Sequence, residues 1–303
     1  MRASRRTPPR RNLSIVDWRR VMADLKIAVM LSSLRMEPYA GLEKIAEMGV
    51  TGVHLGVGSG QFAPENMSKQ DRKDLLKHLD GLGLEISALS AWGGAVHLEQ
   101  DDCAAAIAQA KDVLELAADL ECGIWQGHVG IMPEDVNDPG WANHVRHHEE
   151  IAKHAEAVGS VLAIETGPEP PYVLKRLIET VGSDTIRLNW DPANLILWPA
   201  KYAKDAGEEY DKQKWMDLYQ PVEGLDMVGQ YVVHVHAKDA LVHDNGERQE
   251  VAFGTGWVDW DNFIGKLHKD HGYDGYFAIE REVGENPVKD IQTAVDFLKN
   301  FSV

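Results

Sequence analysis

Cysteine is nearly absent from this chain. Cys103 and Cys122 are the two thiols among 303 residues. That is too few for a disulfide framework and points to a reducing compartment, so a cytoplasmic location is expected. Long hydrophobic runs are missing too: no apolar stretch reaches bilayer-spanning length, and no membrane role is expected. Basic charge is scarce, with 31 lysines and arginines against 48 aspartates and glutamates and a net charge of −17 at pH 7. The opening MRASRRTPPRRNLSIVDWRR holds seven arginines and one aspartate, which leaves the remainder near −23. Such a body disfavours nucleic acid, whose binding is driven by Lys and Arg against phosphate, and it suits divalent cations. The opening stretch also lacks the apolar centre of a secretory signal. Residues 1–22 read as a disordered or over-extended segment, and 23–303 as one folded domain.

What is present is a hydrophobic content of 44%, enough for a sizeable core. It is arranged in eight short apolar segments: LKIAVML (25–31), TGVHLG (51–56), LEISALSAW (84–92), CGIWQGHVG (122–130), VLAIETG (161–167), TIRLNWD (185–191), YVVHVHAKD (231–239) and YFAIERE (276–282). Between them lie amphipathic runs such as LEKIAEMG and CAAAIAQAKDVLELAADLE, several closed by glycines (Gly49, Gly83, Gly159, Gly272) in the manner of helix C-caps. Strand and helix alternating eight times predict an α/β fold, a parallel (β/α)8 TIM barrel. The stretch 197–229 is expected to form an elaborated sixth loop and helix that could cover a site. The G-T-G at 254–256 lacks the third glycine of a dinucleotide fingerprint and reads as a tight turn that follows no strand and precedes a helix starting near Asp259. HHEE at 147–150 reads as a solvent-facing stretch of helix.

Side chains on a strand alternate between its two faces. In VLAIE, Ala163 and Glu165 oppose Leu162 and Ile164. In IRLNWD, Asn189 and Asp191 oppose Leu188 and Trp190. In VVHVHAK, His234, His236 and Lys238 oppose Val233 and Val235. In FAIE, Ala278 and Glu280 oppose Phe277 and Ile279. Small and polar residues thus point to the barrel axis, and the polar ones come at the C-terminal ends, where such barrels build active sites. Glu165, Asp191, His236 and Glu280 are expected to converge there. Each alone has a plainer reading, a rim salt bridge for a glutamate or a hydrogen-bonded core residue for a histidine. Together, three carboxylates and an imidazole desolvate badly without a cation. One divalent metal ion, Mn²⁺, Mg²⁺, Co²⁺ or Zn²⁺, resolves that cost.

IETGPEP, NWDPAN, HVHAKD and the closing VAFGTGWVDWDNFIGKLHKDHGYDGYFAIERE resemble the xylose isomerase-like TIM barrels, the sugar phosphate isomerase/epimerase superfamily that includes endonuclease IV. The resemblance spans 25–298. It implies that Glu165, Asp191, His236 and Glu280 bind one divalent metal, and that Glu165 and Glu280 act as catalytic base and acid on a sugar through an enediolate. The substrate is then a small sugar or sugar derivative. Barrels of this family commonly self-associate, which makes a homo-oligomer a candidate state.

Departures narrow the reading. The free-ketose 3-epimerases carry Glu six residues after the strand-five ligand, His three after the strand-six Asp and Arg six after the strand-seven His. Here those positions are Pro171, Asn194 and Val242, so the substrate pattern of those enzymes is absent. Endonuclease IV needs a histidine at the Asn194 position for its metal cluster, which argues against a nuclease. A lyase or dehydratase acting on a keto-sugar, keto-inositol or 3-keto-glycoside shares the first proton abstraction and is the alternative. A non-catalytic sugar-binding barrel is a second alternative. Candidate substrate contacts are His234, Lys238, His128, His54, Trp92 and Asn194. Trp125 either stacks on a sugar or packs in the core, and Arg281 is expected to point outward into a structural salt bridge.

Overall fold

A computed structural model describes residues 25–91 and 96–301. Residues 1–22 and Trp92 lie outside the described residues. The elements run β1 (Lys26–Met30), α1 (Pro38–Glu47), β2 (Gly52–Gly56), α2 (Lys69–Leu82), β3 (Glu85–Ser90), α3 (Ala104–Asp119), β4 (Ile124–Gly127), α4 (Pro139–Val158), β5 (Val161–Glu165), α5 (Pro171–Val181) and β6 (Ile186–Trp190). They continue with α6 (Asn194–Ala206), α7 (Lys212–Tyr219), α8 (Leu225–Val228), β7 (Val232–Ala237), β8 (Asp239–Val242), β9 (Arg248–Val251), α9 (Trp260–His271), β10 (Tyr276–Ile279) and α10 (Pro287–Lys299). Eight strands close into a parallel barrel in the order β1-β10-β7-β6-β5-β4-β3-β2. The (β/α)8 expectation holds.

Local chemistry explains the boundaries. Ser68 and Asp71 form a reciprocal capping box that starts α2. The four glycines expected to close helices all have left-handed backbone, with φ between 65° and 75°. Outward strand residues such as Trp125, Leu162, Leu188, Val235 and Phe277 are fully buried against the helices. Trp125 is therefore core.

Three expectations change. First, 197–229 holds most of α6 together with α7 and α8, and α6 begins at Asn194, beside the barrel mouth. Second, YVVHVHAKD is not one strand. It breaks at Lys238, and Asp239 opens an antiparallel hairpin, β8 with β9, so the G-T-G turn does follow a strand. The Asp239 carboxylate gathers the N–H groups of Gly254 (3.0 Å), Gly256 (2.9 Å) and Val258 (3.3 Å). A Cβ at Gly256 would meet Asp239 Oδ1 at 2.1 Å, so the loop accepts no side chain there. Third, His147 and His148 are buried. Their Nδ1 atoms meet the carbonyls of Leu98 (2.9 Å) and His144 (2.7 Å), and that pairing lets imidazoles sit where the sequence suggested solvent. Arg281 forms its structural bridges, to Glu250 at 2.7 Å and Asp290 at 3.0 Å.

One buried acid lies outside the four-residue cluster expected at the barrel mouth. Glu169, in the turn after β5, accepts the Met132 N–H at 2.7 Å. Burial pushes its carboxyl up to about 8 against hydrogen bonds from the Met132 backbone and its own. The folded chain therefore holds this proton between pH 4.5 and 8 while the unfolded chain releases it, so stability falls as pH rises through that window, on the order of a few kcal/mol. Urea unfolding at pH 5 and pH 8 checks this: Glu169→Gln should be less sensitive to the pH change than the wild type, and equal sensitivity would refute the assignment.

Candidate metal and substrate site

The inward alternation read from sequence brings four side chains to one point. Glu165 closes β5, Asp191 follows β6, His236 lies in β7 and Glu280 follows β10. One ligand atom from each lies within 4.8 Å of all the others. His236 Nδ1 is 3.0 Å from Glu165 Oε1, 3.1 Å from Glu280 Oε2 and 4.0 Å from Asp191 Oδ2.

Each carboxylate is held by its neighbours. Gln126 Nε2 donates to Glu165 Oε2, and His128 Nε2 lies 3.2 Å from that oxygen. Asn194 Nδ2 donates to Glu165 Oε1 at 3.0 Å. Asp191 Oδ1 accepts the N–H groups of Ala193 (2.9 Å) and Asn194 (3.0 Å) at the start of α6. Thr166 Oγ1 ties the ends of β5 and β6 by accepting Asp191 N–H at 2.7 Å and donating to Asp191 O at 3.1 Å. Asp191 Oδ2 is buried and points into the cluster, where the charge of Lys238 is its partner. Lys238 Nζ stands 2.9 Å from that oxygen, 2.8 Å from Glu280 Oε2 and 3.2 Å from Glu282 Oε2.

The electrostatics follow from this crowding. Burial raises Asp191 to about 7, with the Lys238 ammonium opposing and Glu280 and Glu165 adding to the rise. Burial works against ionised Glu165, yet His128 and His236 hold it down at about 2. Glu280 stays well below the ordinary carboxylate range because Lys238 and His236 outweigh its burial. Against its own burial, His236 is lifted to about 10 by Glu280 and Glu165. Three acids at such separations demand positive charge among them. The donor set of three carboxylates and one imidazole, with one ligand atom of each within 4.8 Å of the others, fits a divalent cation.

A cavity of about 680 Å³ opens above the cluster, bordered by Gln126, His128, Glu165, Asn194, Lys238 and Glu280 among others. Glu165 and Glu280 border it; Asp191 and His236 do not. Of the residues expected to meet substrate, His128, Lys238 and Asn194 face this cavity, whereas His54 and His234 do not. Both are fully buried in the barrel, and burial keeps His54 neutral, with its pKa at about 3. His234 Nδ1 meets Asn189 Oδ1 at 2.8 Å and its Nε2 meets Ser87 Oγ at 3.2 Å. A contact with substrate is not what their packing provides.

Sequence reasoning missed several residues here, Gln126 and Trp198 among them. Gln126 was readable as the polar member of β4 on the Glu165 side, two residues before His128. Trp198 lies one helical turn after Asn194 on α6 and borders the cavity. Its indole packs on Gly167, where a Cβ would lie 2.6 Å from the ring. The hairpin β8–β9 adds Arg248 and Glu250 to the rim.

The model of the xylose isomerase-like TIM barrel family matches residues 42–301. The chain belongs to that family. Among solved structures of this fold, the xylose isomerase domain protein of Planctomyces limnophilus is similar at 25% identity and TM-score 0.73, covering 91% of this chain and 96% of that one. The probable 3-DHS dehydratase AsbF of Bacillus anthracis is similar at 17% identity and TM-score 0.69, covering 92% and 100%. The D-psicose 3-epimerase of Clostridium cellulolyticum H10, solved with D-tagatose, is similar at 18% identity and TM-score 0.67, covering 91% and 98%. A search of curated proteins finds no significant match. Among the described residues, no helix of this family member is long and apolar enough to cross a membrane.

Proposed function

We propose that this xylose isomerase-like barrel is a divalent-metal-dependent isomerase or epimerase of a sugar or sugar derivative. The observation that carries the reading is the division within the cluster: Glu165 and Glu280 border the cavity, and Asp191 and His236 stand behind them. Glu165, Asp191, His236 and Glu280 would hold the ion, which polarises a substrate carbonyl or hydroxyl oxygen and acidifies the adjacent C–H. Glu165 and Glu280 come from staves separated by β6 and β7, so they approach the substrate from different directions. Glu165, ionised and held by Gln126, His128 and Asn194, takes the proton. Glu280, held ionised by Lys238 and His236, would first take up a proton from solvent and then deliver it to the other face, and Lys238 beside it would donate to a developing oxyanion. The flat Trp198 indole gives the sugar's apolar face a surface.

A lyase reading shares the first step. It is favoured by His128, which borders the cavity beside Glu165 and can protonate a departing β-substituent. One experiment separates the two. The Mn²⁺-loaded protein is incubated in D₂O with a panel of ketoses and 3-keto-glycosides. Deuterium in recovered sugar without loss of a group supports isomerisation, and release of water or aglycone supports the lyase. Absence of both across the panel, with no bound metal, would sink the catalytic reading and leave a binding barrel.

A further inference from the structure

We propose that His54, on β2, is a positioning residue that fixes the ring tautomer and orientation in which His236 offers Nδ1 to a metal ion; this rests on the metal-binding reading above. His236 Nδ1 faces Glu165 and Glu280 at 3.0 and 3.1 Å. For that nitrogen to hold a cation its lone pair must be free, so the ring proton belongs on Nε2. A buried N–H needs an acceptor. The atom facing His236 Nε2 is His54 Nδ1, at 3.3 Å.

The tautomer of His54 then follows. Its Nδ1 keeps a lone pair and its own proton sits on Nε2, which is buried and makes no hydrogen bond among the described residues. Packing holds the ring in place. Its centroid is 5.1 Å from that of His236 and 4.9 Å from that of His234, edge-on at 79°. His234 is itself braced by Asn189 and Ser87. Metal-ligating histidines commonly donate their second N–H to a carboxylate, a carbonyl or water. A neutral imidazole performs that task here without adding a fourth negative charge beside Glu165, Asp191 and Glu280. A separate ion among His54, His234 and His236 would require the His236 ring to give up both its protons to serve two metals, which makes the positioning role the simpler use of this trio.

The test uses chelator-stripped full-length protein and Mn²⁺ titrated by calorimetry. His54→Leu, which keeps bulk and removes the acceptor, is expected to loosen Mn²⁺ by roughly 10- to 100-fold. His54→Gln, which restores an acceptor oxygen, should recover part of that loss, with thermal unfolding of the stripped variants reporting the fold. Independently, ¹⁵N NMR of the Zn²⁺-loaded wild type should place the His236 proton on Nε2, a readout that stands if the leucine variant does not fold. Unchanged Mn²⁺ affinity in His54→Leu, or a His236 proton on Nδ1 in the Zn²⁺-loaded protein, overturns the role of His54 while leaving the metal site intact. A wild type that binds neither ion overturns the metal reading itself, and the role of His54 with it.

Discussion

Glu165→Gln is expected to lower kcat by about 10²- to 10⁴-fold, the usual worth of a positioned general base, while the barrel stays folded. The variant cannot take a proton from carbon, and its amide also faces the wrong partners. Four groups surround the two Glu165 oxygens: Gln126 and His128 on Oε2, and Asn194 and His236 on Oε1. A glutamine supplies one acceptor oxygen, so one side of the site meets an NH₂ where it offered a donor. Glu280→Gln should cost a comparable factor, with a different local penalty because Lys238 then loses a charged partner at 2.8 Å. Steady-state rates, far-UV circular dichroism and metal content for both variants give the answer. Near-normal turnover in either one removes that glutamate from proton transfer.

Lys238→Met should destabilise the metal-free protein by about 3–5 kcal/mol, the usual cost of removing one partner from a buried ion pair. The ammonium is buried and stands within 3.2 Å of Asp191, Glu280 and Glu282. Glu282 is 59% exposed and water can carry its charge, whereas Asp191 is 0% exposed and has no such recourse. Divalent metal should recover much of the loss, because it would sit among the same Asp191 and Glu280 oxygens. Thermal unfolding in chelator and in Mn²⁺ reads this directly. A methionine variant as stable as the wild type in chelator would mean that the cluster does not need the lysine charge.

The candidate site was legible where the relevant property was local. Alternation along VLAIE and VVHVHAK is set by the pleat of a single strand, so the inward direction of Glu165 and His236 followed without knowledge of neighbours. The hairpin was not legible, because the break at Lys238 is produced by residues farther along the chain. Asp239 draws in the backbone of Gly254, Gly256 and Val258, and that closure turns an apparent strand end into β8. His147 and His148 misled for a related reason. A histidine beside two glutamates looks solvated until carbonyls reach it, and one of those, Leu98 O, arrives from the loop before α3.

The order of apolar segments, the inward register of four ligand-type residues and the acidic balance of the body belong to the sequence alone, since each depends on composition or on spacing within one element. Tertiary structure decided which inward residues meet. His54 and His236 are 182 positions apart and share a hydrogen bond because closure of the barrel places β2 across from β7. Trp198, rather than Trp125, reached the cavity because α6 begins where β6 ends and carries its second turn over the mouth. Distances across a closed sheet depend on every strand in the circuit, and no local pattern encodes them.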